Sequence, residues 1–301
     1  MSNISRRSLL KTLAIGGAAV TTPTVLPTTL ETLLAQNPEN STAEQIEALT
    51  VQNGTRQSVC KWCYNKFPME EFCKIAKKLG LVGIDLVGPN DWDLLLKYDL
   101  IVTMGNGPGM GIPKGFNRLE NHDKLIESYE AALPIAAEKK VPNLICFSGN
   151  REGISDDEGL ANCVTGLKRL MPAAEKYGVT IVMELLNSKD HKDYQADHTP
   201  WSGELARQVG SERFKLLYDI YHMQRMEGDV IKMIRDYKDV IGHYHTGGNP
   251  GRNDIDETQE LYYPAIIKAI KATGFKGFIA HEFLPKKGLE SLRNGIKICD
   301  V

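Results

Sequence analysis

The sequence predicts a single α/β domain folded as a parallel (β/α)₈, or TIM, barrel. The chain of 301 residues is 42% hydrophobic and 25% charged, so it can bury one large core without cross-links. From Gln57 onward, eight short apolar runs alternate with segments of helical periodicity. The 245 residues from 57 to 301 also match the ~250 residues of an average barrel of this type.

The eight strand candidates are continuous apolar runs, which is typical of parallel strands covered on both faces. In chain order they are Ser58–Trp62, Gly83–Val87, Leu100–Met104, Asn143–Phe147, Thr180–Leu185, Lys215–Asp219, Ile241–His245 and Gly277–Glu282. A doubly wound open sheet is the alternative architecture. It is disfavoured because no run is followed by the Gly-x-Gly-x-x-Gly turn that would bind a dinucleotide.

The segments between the runs carry helix signals. Pro68 marks the start of one helix and Gly80 its end, with apolar residues at helical spacing between them. Helices are also predicted over Asp156–Tyr177 and Leu261–Thr273, each followed directly by a glycine. Gly-Leu-Val-Gly-Ile at 80–84 is echoed by Gly-Phe-Lys-Gly-Phe later in the chain, again between a helix and a strand. This repetition favours a closed barrel of similar units.

Residues 1–35 are predicted to be an export signal outside the barrel. The pair Arg6-Arg7 precedes an apolar run at 12–20, which is too short to span a bilayer. The pair resembles a twin-arginine signal, with Leu9 where that signal type prefers Phe. We therefore expect an exported, periplasmic protein without a stable membrane span, cleaved near Ala35.

Residues 36–56 are polar and predict a linker between the signal and the barrel, which would occupy residues 57–301. The net charge of the whole chain is −2. Removing residues 1–35 takes away three basic residues and one acidic residue, a net +2, and leaves −4. This balance provides no basic field for nucleic acid. Six cysteines are too few for a disulfide scaffold.

Four strand ends deliver side chains that can bind a metal ion. Catalytic groups in this fold lie at the carboxyl ends of the strands. Strands five to eight end in Glu184, Asp219, His245 and Glu282. Three carboxylates at one buried rim would repel one another unless a cation is held among them. Carboxylates with one imidazole favour one divalent ion, Mn²⁺ or Mg²⁺, with Co²⁺ and Zn²⁺ as further candidates.

Four short motifs surround these residues. They are Met-Glu-Leu-Leu-Asn at 183–187, Asp-Ile-Tyr-His-Met-Gln at 219–224, Gly-His-Tyr-His at 242–245 with Pro-Gly-Arg at 250–252, and His-Glu-Phe at 281–283. Together they resemble the xylose isomerase-like superfamily of sugar isomerases and epimerases, over roughly residues 57–301. The hydroxypyruvate isomerase branch and the ketose 3-epimerases are the most similar. The former prefers Gln at the position of His245, whereas the ketose epimerases use His.

The resemblance implies a metal-dependent isomerase or epimerase that acts on a small sugar or keto acid. In that family the four strand-end residues bind one divalent ion. The two glutamates, here Glu184 and Glu282, also act as acid and base on opposite faces of the substrate. Four further side chains are candidates for binding substrate oxygens, the first two by resemblance: His222, Arg252, Asn187 and Gln224. Such sites transfer a proton next to a carbonyl through a metal-stabilised enediolate.

Other functions stay open at this point. A dehydratase of the inosose type would use the same metal and the same acids. A non-catalytic exported sugar-binding protein would have no need of both Glu184 and Glu282. A nuclease of the endonuclease IV type needs histidines where strands two and three end. In this sequence the last residues of these two strand candidates, from Asp85 and from Thr103 onward, include no histidine. No segment decides whether the chain forms a homo-oligomer.

Three smaller features complete the sequence-based expectations. Cys60 and Cys63 have redox spacing, but we favour ordinary packing over a disulfide or a redox role, which both stay open. The glycine-rich loop at 105–111 is expected to lie over the site. His243 is expected to face the helices rather than the site.

Overall fold

The computed structural model describes residues 44–301, and these residues form a closed barrel of eight parallel strands in sequence order. The strands are β1 (Gln57–Cys60), β2 (Gly83–Val87), β3 (Ile101–Gly105), β4 (Asn143–Cys146), β5 (Thr180–Glu184), β6 (Phe214–Asp219), β7 (Ile241–Thr246) and β8 (Phe278–His281). The predicted fold class and all eight strand candidates are confirmed. The first strand ends earlier than predicted because Lys61–Tyr64 forms a 3₁₀ turn. The predicted export signal lies outside the described residues.

The burial of the strands explains why the apolar runs do not alternate between apolar and polar residues. Every residue of β1, β4 and β8 is buried, since one face packs against helices and the other faces the barrel interior. The barrel closes where β1 pairs with β8 in parallel, with Gln57 opposite Ile279. No edge strand is left in this sheet.

Nine α-helices occur in the described residues and cover the barrel. They are α1 (Met69–Lys78), α2 (Trp92–Lys97), α3 (His122–Glu138), α4 (Asp156–Tyr177), α5 (Thr199–Val209), α6 (Ile220–Met226), α7 (Val230–Asp236), α8 (Tyr263–Ala272) and α9 (Leu289–Cys299). Helix α4 has the predicted bounds: the Ser155 side chain caps its first turn and Gly178 ends it at a φ of 69°. None of the helices described is both long and apolar enough to cross a bilayer.

Residues 44–56, the described part of the predicted polar linker, lie against the barrel. Ile46 is buried, and the Leu49 N–H donates to the Lys78 carbonyl at 2.9 Å. The backbone N–H groups of Gln52 and Asn53 each donate at 2.8 Å to the carboxylate of Asp300. This stretch is therefore attached to the end of α1 and to the residue that follows α9.

The barrel interior contains an apolar cluster and a polar cluster. The apolar cluster consists of Met104, Ile145, Val182 and Leu217, from four consecutive strands. The polar cluster crosses the barrel, because Asp85 of β2 contacts His243 of the non-adjacent strand β7 at 2.6 Å. The expectation that His243 faces the helices is therefore wrong. Residues two apart on a strand share a face, so His243 and His245 both point inward.

Candidate metal centre

The four strand-end side chains meet at the carboxyl rim of the barrel. Glu184 ends β5, Asp219 ends β6, His245 is the last residue but one of β7, and Glu282 directly follows β8. All four are buried, with exposed fractions of 5% or less. Each offers one ligand atom, and these four atoms lie within 4.8 Å of one another. The convergence expected from the strand ends is observed.

The imidazole of His245 lies among the carboxylates. Its Nδ1 is 2.7 Å from Glu282 Oε2 and 3.6 Å from Glu184 Oε1. Arg252 provides a second positive group, with its guanidinium 3.2 Å from Asp219 Oδ2 and in contact with Glu282 Oε2. The carboxylates of this cluster therefore contact one imidazole and one guanidinium group.

The electrostatics of the cluster show how crowded the carboxylates are. Burial raises the pKa of Asp219 to about 7, and although Arg252 opposes this shift, the neighbouring charge of Glu282 adds to it. Burial also penalises the charge of Glu282, but Arg252 and His245 hold the pKa of that carboxyl well below its usual range. Three carboxylates and one imidazole form a donor set that fits a hard-to-borderline divalent ion. A bound cation would favour the charged form of Asp219 and so oppose the effects of burial and of the neighbouring carboxylate.

Trp62 is a member of the site that sequence reasoning missed. Its indole Nε1–H donates to Glu282 Oε1 at 2.7 Å. The guanidinium of Arg252 lies 5.3 Å from the Trp62 ring centroid and 5.5 Å from that of Tyr221. Two aromatic rings therefore contact the arginine that contacts the acids. The signal available in the sequence was the place of Trp62 just beyond β1, at the same rim as the ligands.

His222 presents a neutral N–H group beside Asp219. It lies in the first turn of α6, where its backbone N–H donates to Asp219 Oδ1 at 3.1 Å. The backbone N–H of Asn187 donates to His222 Nδ1 at 3.1 Å, so the ring proton lies on Nε2. Within residues 44–301 this Nε2 has no hydrogen-bond partner, and it is 3.7 Å from Asp219 Oδ2. Burial lowers the pKa of His222 well below its usual range and keeps the ring uncharged.

A cavity of about 410 Å³ lies over the cluster, and its size is ordinary for a small-molecule site. Its polar lining is Trp62, Asn106, Glu184, His191, Arg252 and Glu282. The rest of the lining is Leu86, Gly107, Ile112, Ile145, Phe147 and Leu186. The glycine-rich loop after β3 thus contributes to the cavity, as expected.

Comparison with known proteins decides the family. Residues 67–298 match the family described as xylose isomerase-like TIM barrel. The chain belongs to this family. The hydroxypyruvate isomerase of Escherichia coli strain K12 is 26% identical over 227 residues, which are 72% of this chain and 88% of that protein. The 2-oxo-tetronate isomerase of Cupriavidus necator is 34% identical over 117 residues, 38% of this chain and 44% of that protein.

The fold of this xylose isomerase-like barrel is also found in solved structures. The 3-keto-D-glucoside 4-epimerase from E. coli, in its apo form, superposes with a TM-score of 0.68 at 17% identity. The match covers 81% of this chain and 98% of that one. At this identity the likeness shows the fold alone. The named isomerases among the sequence relatives support an isomerase.

Gln224 and the two cysteines, Cys60 and Cys63, lie near this xylose isomerase-like site, and the role of Gln224 in substrate binding stays a prediction. The side-chain amide of Gln224 donates to Glu260 at 3.2 Å, a contact outside the carboxylate cluster. Cys60 is buried, Cys63 is partly buried, and both are free. Burial holds the pKa of each thiol well above its usual range, so both stay protonated. This agrees with packing rather than redox chemistry.

Proposed function

We propose that this protein is a metal-dependent isomerase or epimerase that transfers a proton next to the carbonyl of a sugar or keto acid. The carrying observation is that two buried carboxylates, Glu184 and Glu282, approach the same nitrogen of His245 beneath a cavity. The names of the sequence relatives, hydroxypyruvate isomerase and 2-oxo-tetronate isomerase, support the same reaction class. A divalent ion held by the four side chains would stabilise negative charge developing on the substrate oxygens.

The two glutamates supply the acid and base chemistry. They come from β5 and β8, which are separated by two strands, and the family resemblance implies that they act on opposite faces of the substrate. One carboxylate removes the proton next to the carbonyl, and the enediolate that results is protonated again. If the other glutamate, in its acid form, protonates the same carbon from the opposite side, the product is the epimer. If the first glutamate gives its proton to the neighbouring carbon and a proton moves from one substrate oxygen to the other, the product is the isomer. A positioned carboxylate base contributes about 10²–10⁴-fold in rate.

Glu282 is prepared to act as the base. Because Arg252 and His245 hold its pKa low, the carboxylate is ionised at neutral pH. The indole N–H of Trp62 fixes Oε1. This arrangement orients the carboxylate before the substrate arrives.

Two neutral or cationic donors are available for substrate oxygens. The guanidinium of Arg252 lines the cavity, and the uncharged His222 offers its Nε2–H beside Asp219. Asn187 positions His222 through its backbone N–H. We assign Arg252 and His222 to substrate binding and Asn187 to the support of His222.

The test is exchange of substrate hydrogen with solvent. The protein is stripped with a chelator, reloaded with Mg²⁺ or Mn²⁺, and incubated in D₂O with hydroxypyruvate, 2-oxo-tetronate and a panel of ketohexoses. Proton NMR should show deuterium at the carbon next to the carbonyl only in the loaded protein, and the Glu184→Gln and Glu282→Gln variants should lose it. Water elimination without exchange product would instead indicate a dehydratase. Metal binding without exchange on any compound would indicate a sugar-binding protein.

We also propose export to the periplasm, on the sequence of residues 1–35 alone. The basic pair Arg6-Arg7 followed by a short apolar run supports this proposal. The route expected for a paired-arginine signal carries folded proteins, which would let the metal load before export.

A further inference from the structure

A buried carboxylate lies in the barrel interior beside the candidate metal centre. Asp85 is in the middle of the apolar strand β2 and has no exposed surface. Its Oδ1 accepts hydrogen bonds from the hydroxyl of Ser58 at 2.7 Å and from that of Thr103. Its Oδ2 lies 2.6 Å from Nε2 of His243 and 3.2 Å from Nε2 of His245. Donors therefore surround both oxygens.

This surrounding favours a charged Asp85. Two hydroxyl groups and two imidazole nitrogens face the oxygens of its carboxyl group, and hydrogen-bond donors of this kind stabilise the ionised form. An ionised carboxylate only accepts hydrogen bonds, so the nitrogens that face it must carry protons. Nε2 of His245 is one of these nitrogens.

The two nitrogens of His245 face different partners. Nδ1 faces the acids of the candidate metal centre, at 2.7 Å from Glu282 and 3.6 Å from Glu184. Nε2 faces Asp85 and, at 3.8 Å, the sulfur of Cys60. A neutral imidazole carries one proton, and only the other nitrogen can bind a metal. The position of the proton on His245 therefore decides whether its metal-facing nitrogen is a ligand.

We infer that Asp85 is a positioning residue for the candidate metal centre, because by accepting the Nε2–H of His245 it fixes the tautomer in which Nδ1 is free to bind a metal ion. The inference rests on the proposed metal centre and is independent of which substrate the enzyme uses. Carboxylates that orient a metal-binding histidine in this way typically contribute 10–100-fold to metal affinity.

The neighbours of Asp85 agree with this role. Cys60 is a poorer partner for Nε2, because its sulfur is farther away than the Asp85 oxygen and sulfur is a weak acceptor. His243 and the hydroxyls of Ser58 and Thr103 hold the carboxylate from its remaining sides. Asp85 is thus fixed from β1, β3 and β7 and presents one oxygen to His245.

The first test locates the proton directly and needs no variant of Asp85. Protein with ¹⁵N-labelled histidine is loaded with Mg²⁺ or Zn²⁺, which are diamagnetic, and a long-range ¹H–¹⁵N correlation spectrum is recorded. The His245→Gln variant assigns the signals of the ring. We expect Nε2 to be protonated and Nδ1 to be unprotonated. A proton on Nδ1 in the loaded protein would overturn the inference.

The second test is a double-mutant cycle on metal affinity, measured by titration calorimetry with Mn²⁺. Asp85→Asn should weaken binding about 10–100-fold in the otherwise unchanged protein. In the His245→Gln background the same substitution should change affinity by no more than about twofold, since no imidazole is left to orient. An equal loss in both backgrounds would show that Asp85 acts through its charge alone and would overturn the inference.

Asp123→Asn is the matched control. It makes the same substitution at an exposed carboxylate of α3 that pairs with Arg169 and touches neither Asp85 nor the four ligands, so affinity should stay within about twofold. If Asp85→Asn does not fold, the spectrum of the unsubstituted protein still decides the question. Failure of the unsubstituted protein to bind any metal would refute the proposed function itself, whereas binding with Nδ1 protonated would refute only the role of Asp85.

Discussion

Replacing Trp62 with Phe is expected to make Glu282 easier to protonate without removing the metal site. The indole Nε1–H donates to Glu282 Oε1 at 2.7 Å, and its ring lies 5.3 Å from the guanidinium of Arg252. Phenylalanine keeps an aromatic face under Arg252 but has no donor for the carboxylate. The contacts of Glu282 Oε2 with His245 and Arg252 do not involve the indole.

The size of the effect follows from the lost hydrogen bond. A hydrogen bond to a charged group contributes about 1.5–3 kcal/mol. Trp62 is 36% exposed, so water replaces part of the bond, and the expected loss is ~1.4 kcal/mol, just below that range. This corresponds to a rise of about one unit in the pKa of Glu282.

The assay is deuterium exchange against pH in protein saturated with metal. Because the indole N–H stabilises the charged form of Glu282, its removal makes the base easier to protonate. The acidic limb of the profile should therefore move to higher pH by about one unit.

Tyr221→Phe is the matched control for this prediction. The Tyr221 ring also faces Arg252, but its hydroxyl donates to Asp190 at 2.8 Å. The acidic limb of the pH profile of the Tyr221→Phe variant should stay at the same pH as in the unsubstituted protein. An unmoved limb in Trp62→Phe, or an equal movement in both variants, would refute the role assigned to the indole.

Three further predictions address the acids, the metal and the signal. Glu282→Gln should keep an oxygen for the metal yet lower kcat by about 10²–10⁴-fold in the exchange assay, and near-normal turnover would remove Glu282 as acid or base. Because the pKa of Asp219 is raised to about 7, a metal ion must displace its proton below that pH. Calorimetric affinity should therefore fall about tenfold for each unit below pH 7, and a flat profile would contradict this. The double substitution Arg6→Lys with Arg7→Lys keeps the charge but loses the guanidinium groups. Fractionation should find this variant active in the cytoplasm, whereas continued export would indicate a general secretory signal.

The fold and the candidate ligands could be predicted because both depend on short-range patterns. Glu184 and Asp219 each close an apolar run, and His245 lies one residue from the end of another. The carboxyl ends of parallel strands meet at one rim, so the position of a residue along its own strand places it at the site. The order of the strands around the barrel is not needed for this prediction.

The interior network could not be predicted in this way. Asp85 and His243 are 158 positions apart and meet only because the barrel brings β2 and β7 across its interior. The stagger of the strands decides which inward-facing side chains contact one another, and this stagger cannot be read from the local sequence. The inward direction of His243 could have been predicted, since it follows from its spacing of two from His245. Trp62 was missed because a 3₁₀ turn, rather than a strand, directs its ring.

The imidazole at position 245 bears on the substrate as well as on the metal. The hydroxypyruvate isomerases that this chain resembles prefer Gln there, and the ketose epimerases use His. A glutamine would offer a carbonyl oxygen and needs no partner to select a tautomer, whereas His245 needs one and has Asp85 at 3.2 Å. The candidate metal centre of this chain therefore contains an imidazole, even though its sequence relatives include hydroxypyruvate isomerases. The cavity of about 410 Å³ also has more room than a three-carbon acid needs. The first exchange panel should therefore contain ketohexoses as well as hydroxypyruvate. A screen with hydroxypyruvate alone would not test the substrates that fit the imidazole at position 245 and the larger cavity.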